Sequence, residues 1–238
     1  MLVLGLETSS KFGSVALIRD AQVLGFEEYD APNAHAERLL PLVESVLRSA
    51  NCTQDEISRI AVGNGPGNFT GLRVGIALAY GLGIGLGIPV VGVGSLVAVA
   101  SAAVDAHFKA ILVLRDARKG EFFAAAFDGS HNTLLEPHLV TQESAKDWVN
   151  TVVNLHSKGS GDWTLLSDGL CAFSTAELAN AGARLLEGAE SMRPDAKQVG
   201  LLGARATVGQ WPLPEYIREV DAVLPSLRRN PAIESELR

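Results

Sequence analysis

Apolar positions follow two rhythms along this chain. Leu2–Leu6 is an unbroken apolar run that reads as a buried strand, and Ser14–Arg19 and Gln22–Tyr29 follow it as two further strands. With Asp20-Ala21 at the turn, the three form an antiparallel meander. The rhythm then changes. From His35 to Ala50, the residues Leu39, Leu40, Val43, Val46, Leu47 and Ala50 recur at three- and four-residue steps, the stripe of an amphipathic helix. Asn33 is placed to cap it, and Pro41 inside the pattern predicts a kink or an irregular first turn. Ile57–Gly63 reads as the next strand, and Thr70 as the cap of a second helix. No charged side chain occurs from Val74 to Val104, a length that alone would suit a membrane span. Gly81, Gly83, Gly85, Gly87, Pro89, Gly92 and Gly94 divide it into a helix, a short buried strand at Ile88–Val93 and a helix starting near Ser95. Each piece is shorter than the ~20 residues a bilayer core requires, so no membrane span is expected.

The second half repeats the order of the first. Leu4-Gly5-Leu6-Glu7 passes a loop with Lys11 and Gly13 into Val15–Ile18; Leu112-Val113-Leu114-Arg115-Asp116 passes Lys119 and Gly120 into Phe122–Phe127. A third strand follows at Thr133–Leu139. The economical account is a duplicated β-β-β-α unit, with halves at residues 1–105 and 106–238 and the C-terminal tail in the second. Three strands followed by alternating helices and strands, twice over, is the α/β plan of the actin/Hsp70/sugar-kinase (ASKHA, RNase H-like) architecture. There a nucleotide sits between the halves, with strand-ending acids facing a metal-bound phosphate, but fold alone does not fix function.

Charge and cysteine content narrow the field. The 238 residues carry a formal charge of −7 with a pI near 5.3. A protein that held RNA alone would show a basic excess, so any RNA contact is expected to come mainly through another chain. Two cysteines, Cys52 and Cys171, without a CxxC pair, exclude a disulfide framework and a zinc cluster and fit a reducing cytoplasm. The N-terminus has no basic stretch and reads as a first strand rather than a signal peptide.

The richest segment is Gly63-Asn64-Gly65-Pro66-Gly67-Asn68-Phe69-Thr70-Gly71-Leu72-Arg73. A strand ends, glycines turn the chain, and a helix starts with free amides that suit an anion; the same glycines equally serve a tight packing turn. No Lys-Ser/Thr pair follows, so it is not a Walker A loop. Gly71, Gly75, Ala79 and Gly83 form a small-residue stripe that lets a backbone approach, either the His35–Ala50 helix or a helix of another subunit. No HxxxH, HExxH or Gly-x-Ser-x-Gly occurs, so neither a metal hydrolase nor a serine hydrolase is expected, and no metal ligands are assigned. Glu7, Thr8, Ser9 and Asp116 are the candidates for holding Mg²⁺ and a nucleotide, which leaves a stand-alone ATPase or kinase as the alternative reading. Leu224–Arg238, with Arg228 and Arg229 beside Pro225 and Pro231, reads as a solvated tail.

These stretches together resemble the TsaB (YeaZ-like) family. The likeness rests on Leu4-Gly-Leu-Glu-Thr-Ser, His35-Ala-Glu-Arg-Leu-Leu-Pro41, Gly65-Pro-Gly-Asn-Phe-Thr-Gly-Leu-Arg73, Asp116-Ala-Arg-Lys-Gly-Glu121 and Pro214-Glu-Tyr-Ile-Arg218. The resemblance implies a degenerate ASKHA-fold scaffold subunit without catalysis of its own. It would pair with a metal-bearing TsaD-type catalytic subunit and work with a TsaE-type ATPase in placing threonylcarbamoyl on tRNA adenosine, meeting tRNA mainly through the complex. It also implies that His35, Arg38, Leu39, Leu42, Val46, Thr70, Gly71, Val74 and Gly75 meet the partner, with His35 and Arg38 at the rim. The same face leaves room for a homodimer when the chain is alone. No cofactor is required, though weak ATP or ADP binding with Mg²⁺ is compatible. Glu7 stands where the family commonly has aspartate, and Asn68 where it has serine.

Overall fold

The computed structural model describes residues 1–30, 34–103, 110–156, 163–167, 174–186 and 193–218. Asn33, Cys171 and the tail Leu224–Arg238 lie outside them, as do His107 and the turn dipeptide Asp168-Gly169.

The first sheet holds β1 (Leu2–Glu7), β2 (Phe12–Arg19), β3 (Gln22–Asp30), β4 (Ile57–Gly65) and β5 (Val90–Gly94), in the order β3-β2-β1-β4-β5. β1, β2 and β3 pair antiparallel, as the meander predicts, whereas β4 and β5 join in parallel. Because successive side chains point to opposite faces, β1 divides its residues between two layers. Leu2, Leu4 and Leu6 pack against α1 (His35–Ser49) and α2 (Phe69–Leu86), with Leu39, Val43, Val46 and Ile76 completing that core. Val3 faces the other way, toward α6 (Ala196–Arg205), with Ala61, Val91, Ala196 and Val199. Gly5 lies under the Ala196 carbonyl and the Gly200 backbone, so only a residue without Cβ lets α6 come this close. The sheet is thus buried on both faces, which is why β1 and β4 lack polar alternation.

The second sheet contains β6 (Ala110–Arg118), β7 (Glu121–Asp128), β8 (Thr133–Thr141), β9 (Trp163–Ser167) and β10 (Ala183–Leu185), in the order β10-β9-β6-β7-β8. Read from the other edge, this is the order of the first sheet. One face packs on α4 (Ala145–His156) and α5 (Thr175–Ala181) through Leu112, Leu114, Val149 and Val152; the other packs on α3 (Ser95–Ala102) through Ile111, Val113, Leu96 and Val99. α3 also touches β4, β5 and α6, so it belongs to both layers.

Local signals refine several expected boundaries. Asn68, not Thr70, caps α2: its side-chain oxygen accepts the Gly71 N–H at 2.9 Å, so the helix starts at Phe69. The residue preceding α1 is Ala34, which offers no side-chain cap, and the helix runs through Pro41 without interruption. α2 ends at Gly87, whose φ of +67° lets it close a left-handed cap with N–H bonds to Gly83 and Ile84. The buried strand after it starts at Val90, two residues later than the apolar run suggests.

After α6 the chain runs as an extended strap across the first half. Trp211 stacks edge-on against Tyr80 at 4.7 Å, and the Tyr80 hydroxyl donates to the Pro212 carbonyl at 2.5 Å. The Glu215 N–H donates to the Asn64 carbonyl at 2.7 Å, in register with the end of β4.

Candidate functional site

A cleft of about 880 Å³ opens between the two sheets. Its walls are the β1–β2 loop (Ser9, Ser10, Lys11, Phe12), the start of α2 (Pro66–Thr70), the end of β6 (Arg115–Arg118), Arg193 and the strap residues Glu215–Arg218.

Of the four residues expected to hold a nucleotide, the structure brings Ser9 and Asp116 to this cleft and takes Glu7 and Thr8 away from it. Glu7 is 1% exposed. One carboxylate oxygen accepts the Ser9 N–H at 2.5 Å, the other the Ser95 hydroxyl at 3.2 Å, and the carboxyl lies against Gly63. Burial pushes its pKa up from the usual carboxylate value, against the opposing pull of those hydrogen bonds. Thr8 is equally enclosed, its hydroxyl donating to the Gly71 carbonyl at 2.8 Å. A hard cation needs several oxygen ligands with open lone pairs, and the end of β1 presents none to the cleft. The residues present do not fit a metal-bound phosphate there, which corrects the expectation for Glu7 and Thr8. Asp116 accepts the Arg118 N–H at 2.7 Å, shaping a turn in which Arg118, Lys119 and Gly120 all carry positive φ.

What the cleft lining does carry is more cations than acids. Lys11, Arg115, Arg118, Arg193 and Arg218 line it against only Asp116 and Glu215, in a chain whose overall charge is −7. Arg193 reaches Glu28 with contacts of 2.7 and 2.8 Å and lies 4.0 Å from the centre of the Phe12 ring. Arg218 bonds Glu121 and the Arg118 carbonyl, tying the strap to the second half. Composition alone hides this cluster, because the five cations come from segments spread over two hundred residues. The conspicuous sequence signals were the two short motifs that carry Arg118 and Arg218.

The second candidate site is the outer side of α1 and α2, which lie side by side. Here the expected contact residues divide. Leu39 and Val46 are fully buried against the sheet, and Gly71 and Gly75 sit directly on Thr8, so none of the four offers surface. The small-residue stripe therefore serves α2's own seat on β1. His35 is also internal rather than at the rim: Nδ1 lies 2.8 Å from the Tyr29 hydroxyl and Nε2 3.1 Å from the Ser10 carbonyl. The Ser10 carbonyl accepts from Nε2–H, and Nδ1 meets the Tyr29 hydroxyl. Burial lowers the His35 pKa, while it pushes Tyr29 up to about 12. Arg38 and Thr70 are exposed, and Leu42 and Val74 half-buried.

The outward face itself is apolar. Only six of the 18 residues of α2 are buried, although the helix is long and apolar enough to cross a membrane by length and composition. Ala77, Gly81, Ile84 and Gly85 point away from the sheet, and a Cβ on Gly81 or Gly85 would meet nothing within 4 Å. Ile84 is 72% exposed, and Leu40 on α1 is exposed beside this face. Sequence periodicity marked the buried glycine stripe; the outward stripe, offset from it, escaped notice because both consist of the same residue types.

Comparison with known proteins gives a consistent placement. A family model described as TsaD, tRNA N6-adenosine threonylcarbamoyltransferase, matches residues 21–176. The tRNA threonylcarbamoyladenosine biosynthesis protein TsaB of Escherichia coli K12 is 30% identical over 233 residues, covering 92% of this chain and 95% of that protein. YeaZ from Pseudomonas aeruginosa superposes with a TM-score of 0.70 at 26% identity, covering 90% of this chain and 99% of that one. The ethanolamine utilization protein EutJ of Carboxydothermus hydrogenoformans, at 9% identity and a TM-score of 0.51, shares the fold alone. The two sheets of like strand order are shared with YeaZ. On the near full-length match, this chain belongs to the TsaB (YeaZ-like) family.

Proposed function

We propose that this chain acts in tRNA threonylcarbamoyladenosine (t6A) biosynthesis as a scaffold subunit in the cytoplasm, docking a TsaD-type transferase on the outer face of α1 and α2 and contributing no chemistry of its own. The names of its relatives support the pathway. The observation that supports the docking face is α2: an 18-residue apolar helix that leaves Ala77, Gly81, Ile84 and Gly85 exposed. Exposed apolar surface of this kind is covered in a working assembly, and the glycines at 81 and 85 allow a second helix to approach closely. Ala77, Gly81, Ile84, Leu40, Leu42, Val74 and Arg38 are the contacts of this reading; His35, Leu39, Val46, Gly71 and Gly75 support the face from beneath. A TsaE-type ATPase would join the same assembly, and a homodimer of the free chain would use this face in competition with the transferase. Glu7, sealed by Ser9 and Ser95, argues against the alternative of a stand-alone ATPase.

Reconstitution tests the reading. Transferase, ATPase and tRNA supplied with threonylcarbamoyl-adenylate are expected to form t6A with this chain present and to lose most of that activity when it is omitted. Undiminished product in its absence would end the proposal.

A further inference from the structure

Pro214-Glu-Tyr-Ile-Arg218 has no task in the docking face. In the folded chain it meets two other motifs at the mouth of the cleft. The Glu215 N–H bonds the Asn64 carbonyl just before the first of them, residues 65–73. Tyr216 stacks on Phe69 with ring centres 5.0 Å apart, and its hydroxyl accepts the Arg73 Nε–H at 2.9 Å. Arg218 bonds the turn of the second motif, residues 116–121. Three segments well separated in sequence thus build one surface.

The chemistry of that surface is specific. Phe69 and Tyr216 line the cleft mouth yet are 38% and 42% exposed, and the Arg73 guanidinium lies 3.7 Å from the Phe69 ring centre. Around them stand Lys11, Arg115, Arg118, Arg193 and Arg218, of which Lys11, Arg193 and Arg218 pair with Asp30, Glu28 and Glu121. Among the described residues, the exposed Arg118 guanidinium makes no ion pair. Exposed rings give a nucleobase a face to stack on, and cations spread along a groove meet successive phosphates; this pairing of features holds single-stranded nucleic acid. A free nucleoside triphosphate is less well served, because its usual magnesium finds no ligand at the end of β1.

We infer that the cleft mouth is an RNA contact: an unpaired nucleotide stacks on Tyr216 and Phe69 while a neighbouring phosphate lies against Arg118. This deepens the proposed function, on which it rests for the identity of the RNA.

The test uses the full chain, alone and mixed with the transferase subunit, and a fluorescein-labelled tRNA anticodon stem-loop as probe. Tyr216→Ala is expected to weaken binding about 5- to 150-fold, the range for loss of one base–aromatic stack. Tyr216→Phe keeps the ring and is expected to stay within about two-fold of the unaltered chain. Arg118→Ala is expected to flatten the slope of log K against log salt by about 0.7, one single-strand phosphate contact. Unchanged affinity in both Tyr216→Ala and Arg118→Ala overturns the inference, and so does complete displacement of the probe by equimolar ATP, which makes a free nucleotide the ligand. Should Tyr216→Ala fail to fold, photocrosslinking of the unaltered chain to 4-thiouridine RNA decides: crosslinks are expected in the peptides holding Phe69 or Tyr216, and crosslinks confined to other peptides overturn it. Gel filtration separates the two readings. Variants that still assemble with the transferase but lose RNA concern the mouth alone, whereas a chain that holds RNA but never assembles overturns the docking reading alone.

Discussion

Burial without a counter-charge governs two titratable side chains on the floor of the first half. Glu7 has hydrogen-bond donors at both oxygens but no cation within ion-pair distance among the described residues, and burial raises its pKa. A raised folded-state value means that the protonated acid favours the fold. Its contribution is complete below the ordinary value of 4.5 and is lost as pH rises. Glu7→Gln removes the charge and keeps an acceptor for the Ser9 N–H. It is therefore expected to raise Tm at pH 7, with the gain shrinking to nothing below about pH 4.5 when melting is followed across pH. A drop in Tm at pH 7 would mean that the carboxylate itself is needed. His35 shows the same physics with the opposite charge: its ring is enclosed between Tyr29 and Ser10, and burial lowers its pKa. Neither role could be foreseen from residue type, because a Glu at a strand end and a His at a helix start look alike whether buried or exposed.

At the level of elements, local chemistry is the part that sequence conveys well. Leu2–Leu6 became β1, Leu39, Val43, Val46 and Leu47 became the buried stripe of α1 while Leu40, expected in it, is exposed, and Gly87 closed α2. The β2–β3 turn sits at Asp20-Ala21, where φ values of +50° and +67° mark a hairpin turn that favours glycine at its second position. Ala21 adopts that backbone at a steric cost. Ala21→Gly is expected to stabilise the chain by about 0.5–1 kcal/mol, the steric relief exceeding the entropy of a freer unfolded chain. Chemical denaturation measures it, and a loss of stability would show that the turn is not strained. The cap of α2 lies two residues before Thr70 because Asn68 and Thr70 are both good caps, and the choice depends on which side chain reaches the Gly71 N–H.

The whole molecule depends on contacts that no local pattern reveals. Repetition of strand order was legible in the two loops after Glu7 and Asp116, and the doubled sheets follow it. The placement of α6 was not. It belongs late in the chain yet packs on the first sheet, where Arg59 donates to the carbonyls of Gly203, Ala204 and Ala206 at the helix end. Only Gly200 and Gly203, three residues apart, hinted at a helix pressed onto strands. The candidate docking face was legible in outline, as two neighbouring helices, but not by residue. Both sides of α2 are rich in glycine, and only the packing tells which glycines are occupied from within. That distinction supplies a substitution that separates fold from assembly. Gly81 has open space where a side chain would grow, and replacing a helical glycine adds about 0.5–1 kcal/mol to helix stability.

Calorimetric titration of the TsaD-type transferase into Gly81→Leu, beside the unaltered chain, therefore tests the central claim most directly. The account predicts saturable binding by the unaltered chain, and a Gly81→Leu chain that melts no earlier yet binds at least about tenfold more weakly, as overpacking at a close helix contact requires. Equal affinity in a well-folded Gly81→Leu chain would place the partner elsewhere and contradict it.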